Sequence, residues 1–273
     1  MSMTTRTAHR VSRISTGVLI TLLFGIPLAY VLMISFQTPT QFIRDPMSLS
    51  QGPTVSNYSA AWTQGDLGQQ LMNTVIYSVA AAAISTVLSL LIAYPVARRL
   101  VRWHRWIYIS FVIGMCLPIP VIPLFVQAQR MHLFDNRIGY IVLHLEMGLP
   151  LGVLLLTAFV AGIPEELDHA ALLDGSSYLG FLARIVLPLA WPSIVIVFLY
   201  SLLGVWNDII GPIVFLASAD LFPVTRGVYQ FYGSNTSAWT TMSAAIVIVS
   251  LPVMTLFIVS QRQLLRSTLG AST

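Results

Sequence analysis

The sequence predicts an all-α integral membrane protein of about six transmembrane helices, and three observations predict it. Of 273 residues, 56% are hydrophobic and only 9% charged, against about 25% charge in an average soluble domain. The apolar residues gather into six runs, at 14–36, 71–97, 106–129, 138–163, 193–217 and 240–261. Each is long enough to cross a hydrocarbon core of about 30 Å, which takes roughly 20 residues of helix. The basic residues stand between these runs and form no concentrated face, so the formal charge of +4 does not indicate nucleic acid.

The first run follows Arg6, Arg10 and Arg13, as in a secretory signal. At 23 uncharged residues, with no small-residue cleavage site after it, it is longer than a signal core of about 7–15 residues. It reads as a retained span. The chain thus divides into an N-terminal tail 1–13, a membrane domain 14–263 and a C-terminal tail 264–273. Arginine supplies every basic side chain except histidine, and its distribution sets the orientation. Arg6, Arg10, Arg13, Arg98, Arg99, Arg102, Arg105, Arg184, Arg262 and Arg266 fall on one side, and Arg44, Arg130, Arg137 and Arg226 on the other. Both termini are therefore expected in the cytoplasm. Prolines inside the runs (Pro27, Pro95, Pro118, Pro120, Pro123, Pro150, Pro212, Pro252) are expected to leave the spans intact, since neighbouring groups can satisfy freed backbone in a membrane. The single cysteine, Cys116, permits no intrachain disulfide, and no Cys/His cluster has metal-ligand spacing.

The loop 162–192 is patterned as helix. Pro164, Glu165 and Glu166 make a good helix start, because proline is preorganised in the first turn and acids there oppose the positive end of the dipole. Gly175 is a natural stop, able to take positive φ. The helix between them is about ten residues long, too short to persist alone in water. Leu167, Ala171 and Asp174 share one face by three-and-four spacing. A second amphipathic piece, 178–186, ends in Leu187-Pro188. By periodicity alone two readings stay open: insertion into a groove on a cytoplasmic partner, or packing beneath the chain's own bundle.

The residues of this loop resemble the signature of bacterial ABC importer permeases. Ala170, Ala171, Asp174, Gly175, Ile185, Leu187 and Pro188 fill its Glu-Ala-Ala, glycine and Ile-x-Leu-Pro positions. Ile163, Pro164, Glu166 and Leu167 match the Ile-Pro-x-Glu-Leu of the carbohydrate (maltose-type) branch. Trp206-Asn207-Asp208, Ala93-Tyr94-Pro95-Val96-Ala97-Arg98, Leu133-Phe134-Asp135-Asn136 and the string 261–266 are similar to strings of the same branch. The resemblance implies a coupling helix seated in a cleft of an ATP-binding subunit, with Glu165, Glu166, Asp168, His169, Ala170, Ala171, Asp174, Gly175, Leu187 and Pro188 at or near that contact. It implies four further partners: a second permease in a heterodimer, an ATPase dimer that binds ATP and Mg, an extracytoplasmic solute-binding protein, and a di- or oligosaccharide. His169 stands where the signature has glutamate, so the carboxylate that usually pairs with an arginine of the ATPase is absent there; Asp168 or Glu166 as substitutes, or a partner changed to match, are the alternatives.

Charges at membrane depth are costly and mark functional candidates. Glu146 and Asp208 are the two, and Trp206, Asn207 and Asp208 together offer ring face, amide and carboxylate to a sugar. Bonding to the neighbouring span, or a place near an interface where the charge costs little, is the favoured reading of both acids, of Glu146 most of all. The Arg98–Arg105 group is read as a topology and headgroup determinant, and the scattered tryptophans as interfacial anchors. No Gly-rich loop with lysine is present, so the chain itself carries no such nucleotide site and no cofactor is expected on it. Rival readings are a polyamine or other small solute as cargo, and an ion-coupled transporter using Glu146 and Asp208 as a relay. An intramembrane enzyme lacks a nucleophile–base pair.

Overall fold

The computed structural model describes the backbone of residues 3–50, 52–231 and 238–270, with the side chains of 3–14, 172, 230, 238 and 262–270 left undescribed. The side chains of Arg6, Arg10, Arg13, Arg262 and Arg266 therefore lie outside the described residues, as do positions 1, 2 and 271–273 of the expected tails. Among the described residues every regular element is helical. Four helices are long and apolar enough to cross a membrane: Ser15–Ser35, Leu67–Ala97, Tyr178–Trp206 and Trp239–Gln261. The number reaches six if two bent pairs each count as one span.

Those bends correct the proline expectation in part. Pro27, Pro95 and Pro252 do lie inside continuous helices, α1 (Met3–Ser35), α4 (Leu67–Ala97) and α14 (Ala238–Gly270). The expected span 106–129 instead breaks into α5 (His104–Cys116) and α6 (Val121–Arg130), bent by 113°. The cause is local. Leu117 and Ile119 each precede a proline, which disfavours helical backbone, and Leu117 is extended at φ −84°, ψ 138°. The expected span 138–163 is α7 (Arg137–Leu143), a 3₁₀ turn His144–Met147, and α8 (Leu149–Ala161), bent by 47°. The expected span 193–217 is shifted: its helix, α11, runs Leu187–Trp206, and α12 (Ile210–Phe215) is separate.

The chain forms two compact units. The smaller comprises residues 1–67 and 227–252. In it α2 (Pro39–Arg44), capped by Thr38, and α3 (Ser56–Gln64) order the polar loop after α1. Buried Asn57 ties them together. Its Nδ2 donates to the Ser35 and Gln37 carbonyls at 2.9 and 2.7 Å, and its Oδ1 accepts from Thr240 Oγ1 at 3.1 Å.

The larger unit comprises residues 68–226 and 253–273. Its contacts are close because small residues face one another. Gly148 and Gly152 lie one turn apart, and a Cβ on Gly148 would fall 2.5 Å from the Ser85 and Ser201 hydroxyls, one on Gly152 2.3 Å from Ser89 Oγ. This Gly-x-x-x-Gly face lets α8 meet α4 and α11 at backbone range, as is common inside membranes. Ser85 and Ser201 hydroxyls bond each other at 3.0 Å across that contact. At one end of α4, Asn73 Nδ2 donates to the Asp220 and Phe222 carbonyls at 2.7 and 3.1 Å, and Tyr77 to Leu221 at 3.0 Å. These hold the turn Ala219–Leu221.

The Leu133–Asn136 turn is observed. Asn136 caps α7, and Asp135, at φ +52°, accepts from the Ala217 and Ser218 amides at 2.8 and 2.9 Å and from Ser218 Oγ at 2.5 Å. The Ser218 hydroxyl and amide hold the Asp135 carboxyl below its usual range. A depressed native pKa contributes stability that is complete above the unfolded value of about 3.9 and is lost as pH falls through the lower native value. The difference in melting temperature between the wild type and Asp135→Asn should therefore shrink between about pH 5 and about pH 3. A gap independent of pH in a thermal-unfolding series would contradict this.

Candidate functional site

Two polar clusters in the larger unit stand out from its apolar surroundings. The first lies where the loop 162–192 meets the end of α4. Here α9 (Glu166–Leu173) forms as expected, with the Pro164 and Glu165 carbonyls accepting its first amides. It closes on Gly175, which takes φ +70°, while the Ser176 amide bonds back to Ala171 at 2.9 Å. This is the glycine stop the sequence implied. A short helix α10 (Tyr178–Phe181), capped by Ser177, leads through a π-helical turn Leu182–Val186 into α11, where Leu187 and Pro188 form the first turn.

The faces of α9 differ from the expected ones. Ala171 is buried, and Asp168 points the same way, into the chain. Glu166, His169, Ala170 and Leu173 are exposed and share the opposite stripe, with Leu173 89% exposed. Glu165, Asp174 and Gly175 are exposed as well. Asp168 is committed inward. Its Oδ2 pairs with Arg98 Nη2 at 2.7 Å, and its Oδ1 accepts from the Tyr94 hydroxyl. Arg98 Nη1 also donates to the Ile163 carbonyl at 2.9 Å. The Tyr94 ring lies 5.6 Å from Phe181 and 5.4 Å from Tyr178, so α10 is drawn to the same helix end. A core of Leu90, Tyr94, Leu156, Ala171, Phe181 and Val186 seals this junction. Sequence reading missed Tyr94 and Arg98 as site residues; the one available signal was their common string, Ala93–Arg98, taken only as a likeness.

The second cluster lies between α7, the turn after it and the break before α12. Asp208 Oδ2 accepts from His144 Nε2 at 2.7 Å and Tyr140 OH at 3.2 Å, and Oδ1 accepts the Ile210 and Gly211 amides at 3.2 and 3.1 Å. His144 Nδ1 donates to the Tyr140 carbonyl at 2.8 Å, so a carbonyl and a carboxyl face the two ring nitrogens. Gly211 is needed here: a Cβ on it would lie 2.0 Å from Asp208 Oδ2. Asp208 thus caps α12 and bonds the neighbouring span. Trp206 is only 5% exposed and Asn207 Nδ2 bonds back to Leu203 at 2.8 Å. Glu146, by contrast, is exposed and lines two adjoining cavities of about 300 and 440 Å³, the first shared with His144 and Asp208, the second with Tyr200. Among the described residues, no three His, Cys, Asp or Glu side chains converge as metal ligands.

Removing the Asp208 carboxyl leaves an imidazole, a phenol and two amides without their acceptor. Asp208→Ala should cost about 3–5 kcal/mol, the usual consequence of breaking a buried pair from one side, while Asp208→Asn should cost less. Unfolding of the purified protein in detergent at an unchanged temperature would rule this role out.

The comparisons with known proteins agree with this architecture. Residues 85–269, which contain both clusters, match the family described as "Binding-protein-dependent transport system inner membrane component". The chain is 30% identical to the diacetylchitobiose uptake system permease protein of Streptomyces coelicolor, over 88% of this chain and 80% of that one. It is 28% identical to the "Probable starch degradation products transport system permease protein" of Thermoanaerobacterium thermosulfurigenes, over 94% of each. In fold it is similar, with a TM-score of 0.82 at 20% identity, to a chain of a bacterial ABC transporter involved in import of the acidic polysaccharide alginate, covering 96% of this chain and 98% of that one. With its apolar helices, its interspersed small-residue contacts and a match over two thirds of its length, this chain belongs to the family of binding-protein-dependent transport system inner membrane components.

Proposed function

We propose that the chain forms one half of the translocation pathway of a sugar-importing ABC transporter, with α9 as the helix that receives motion from an ATP-hydrolysing partner. The observation that carries this reading is α9 itself. A helix of two turns is too short to stand alone; this one is fastened by its inner face and displays Glu166, His169, Ala170 and a nearly bare Leu173 on the outer one. Such a stripe suits a cleft on another protein. The relatives that import diacetylchitobiose and starch degradation products support a saccharide as cargo.

On this reading the bent pairs each make one span, six in all, with both termini and α9 on the cytoplasmic side. ATP and Mg are bound by a dimer of partner subunits, a second permease completes the pathway, and an extracytoplasmic solute-binding protein delivers the sugar. Glu165, Glu166, His169, Ala170 and Asp174 meet the ATPase, while Ala171, Gly175, Leu187 and Pro188 shape the helix and its exit into α11. In the pathway, Glu146 is the best candidate for sugar hydroxyls, because it is exposed to two cavities. Asp208 lines the first of these cavities, Asn207 is exposed and Trp206 is buried.

The direct test is co-purification with a partner ATP-binding subunit, followed by uptake in vesicles. Gly175→Val places a β-branched residue at φ +70°, a strain of about 1–3 kcal/mol. It should lower ATP-driven uptake by about tenfold or more while the chain still reaches the membrane; undiminished coupled uptake would contradict the docking role. Glu146→Gln should raise the sugar concentration for half-maximal uptake with assembly unchanged, and an identical uptake curve would remove Glu146 from the pathway.

A further inference from the structure

We infer that the Arg98–Asp168 pair is a strut that carries displacement of α9 into α4, which makes Arg98, Asp168 and Tyr94 positioning residues for energy coupling. The inference rests on the coupling role proposed for α9 and adds a route by which that motion leaves the helix.

The route begins at a rigid helix end. Beyond α4 the Leu100 amide bonds back to Pro95 at 2.9 Å and the Arg99 amide to Val96 at 3.3 Å, with Arg99 held at φ +54°. This is a fully closed C-terminal cap, formed here with an arginine where glycine is usual. Arg98 therefore projects from a fixed base. Its guanidinium holds two places at once, the Ile163 carbonyl just before α9 and the Asp168 carboxylate on its inner face. One turn earlier on α4, Tyr94 takes the other oxygen of the same carboxylate. A single contact would act as a joint about which α9 could swivel. Attachments from Tyr94 on α4 and Arg98 just past its end, four residues apart, converge on one carboxylate and resist rotation as well as separation.

Space beside the pair sharpens the point. A cavity of about 400 Å³ lies between α9 and the end of α4, lined by Tyr94, Arg98, Leu100, Glu165, Asp168 and His169 among others. Apolar packing does not fill the gap, and the ion pair bridges its wall. The side chains of Arg98 and Asp168 are 7% and 15% exposed. A pair so buried contributes little net stability over apolar groups of equal volume, but at 2.7 Å it fixes a distance. Direction comes from the hydrogen bonds beside it, Arg98 Nη1 to the Ile163 carbonyl and the Tyr94 hydroxyl to Asp168 Oδ1, and transmission of a displacement requires both.

The test uses the assembled transporter in vesicles, in a Cys116→Ser background, and measures sugar transported per ATP hydrolysed. Arg98→Gln should still co-purify with the ATPase and hydrolyse ATP, with the transport-to-hydrolysis ratio falling at least about tenfold. Asp168→Asn should show the same fall. The exchange Arg98→Asp with Asp168→Arg should recover much of the ratio, and so should a short thiol-to-thiol cross-linker joining Arg98→Cys to Asp168→Cys. A normal ratio in both single variants would overturn the strut, and so would failure of both the exchange and the cross-link to recover it. A wild-type chain that neither binds the ATPase nor shows ATP-driven uptake would overturn the coupling reading itself, and the strut with it.

Discussion

A backbone inside hydrocarbon must satisfy its own hydrogen bonds, and the remainder of this structure follows from where it fails to do so by helix alone. The chain interrupts its helices at 117–120, at the 3₁₀ turn His144–Met147 and at 207–209. Each interruption exposes amides and carbonyls that need partners. At the last, the Asp208 carboxylate supplies them, taking the Ile210 and Gly211 amides and tying them to His144 across the bundle. Asp208 is thus a repair to broken helix. Glu146 stands apart, because no such repair engages it and it borders two cavities instead.

The same constraint explains the serines. Ser78, Ser85, Ser89 and Thr74 line α4 and are buried, and Ser78, Ser89 and Thr74 hydroxyls return to carbonyls four residues back in their own helix. A hydroxyl so satisfied presents a small, nearly apolar surface to its neighbour. That lets Gly148 and Gly152 bring α8 to van der Waals range, where dispersion replaces the hydrophobic drive that lipid does not provide. Close packing at this depth makes the larger unit stiff. Stiffness in turn matters at its polar end, where α9 and α10 hang from the last turns of α4.

Much of this was legible in the residues. Hydropathy alone found the apolar runs, because spanning length and lack of charge are crude quantities that sequence reports directly. The glycine stop of α9 was legible too, since the chemistry of Gly175 limits what can follow a helix. The break at 117–120 was misread. A membrane proline is tolerated singly, as at Pro27, Pro95 and Pro252, but two prolines with one residue between them, Pro118 and Pro120, constrain both Leu117 and Ile119 and break the helix. The ties of Asp168 and Asp208 were beyond sequence reading. Both join residues more than sixty positions apart, and no period along the chain encodes such a meeting.

Long-range pairing also bears on the one departure from the loop signature, His169. With Asp168 turned inward, its two oxygens face the chain's own Arg98 and Tyr94. The exposed stripe of α9 then carries a single carboxylate, Glu166, one turn before His169. On the proposed reading, any cation that the partner presents to this stripe has to find Glu166, or Glu165 beside it, and His169 must be met through its ring or by hydrogen bonding. On the proposed reading Glu166, a position the Ile-Pro-x-Glu-Leu string already fills with glutamate, is the carboxylate that remains on the stripe, one turn nearer the helix start. That end favours an acid, because the helix dipole there is positive. The substitution at 169 thus leaves the contact with one carboxylate fewer and concentrates the remaining charge at the start of the helix.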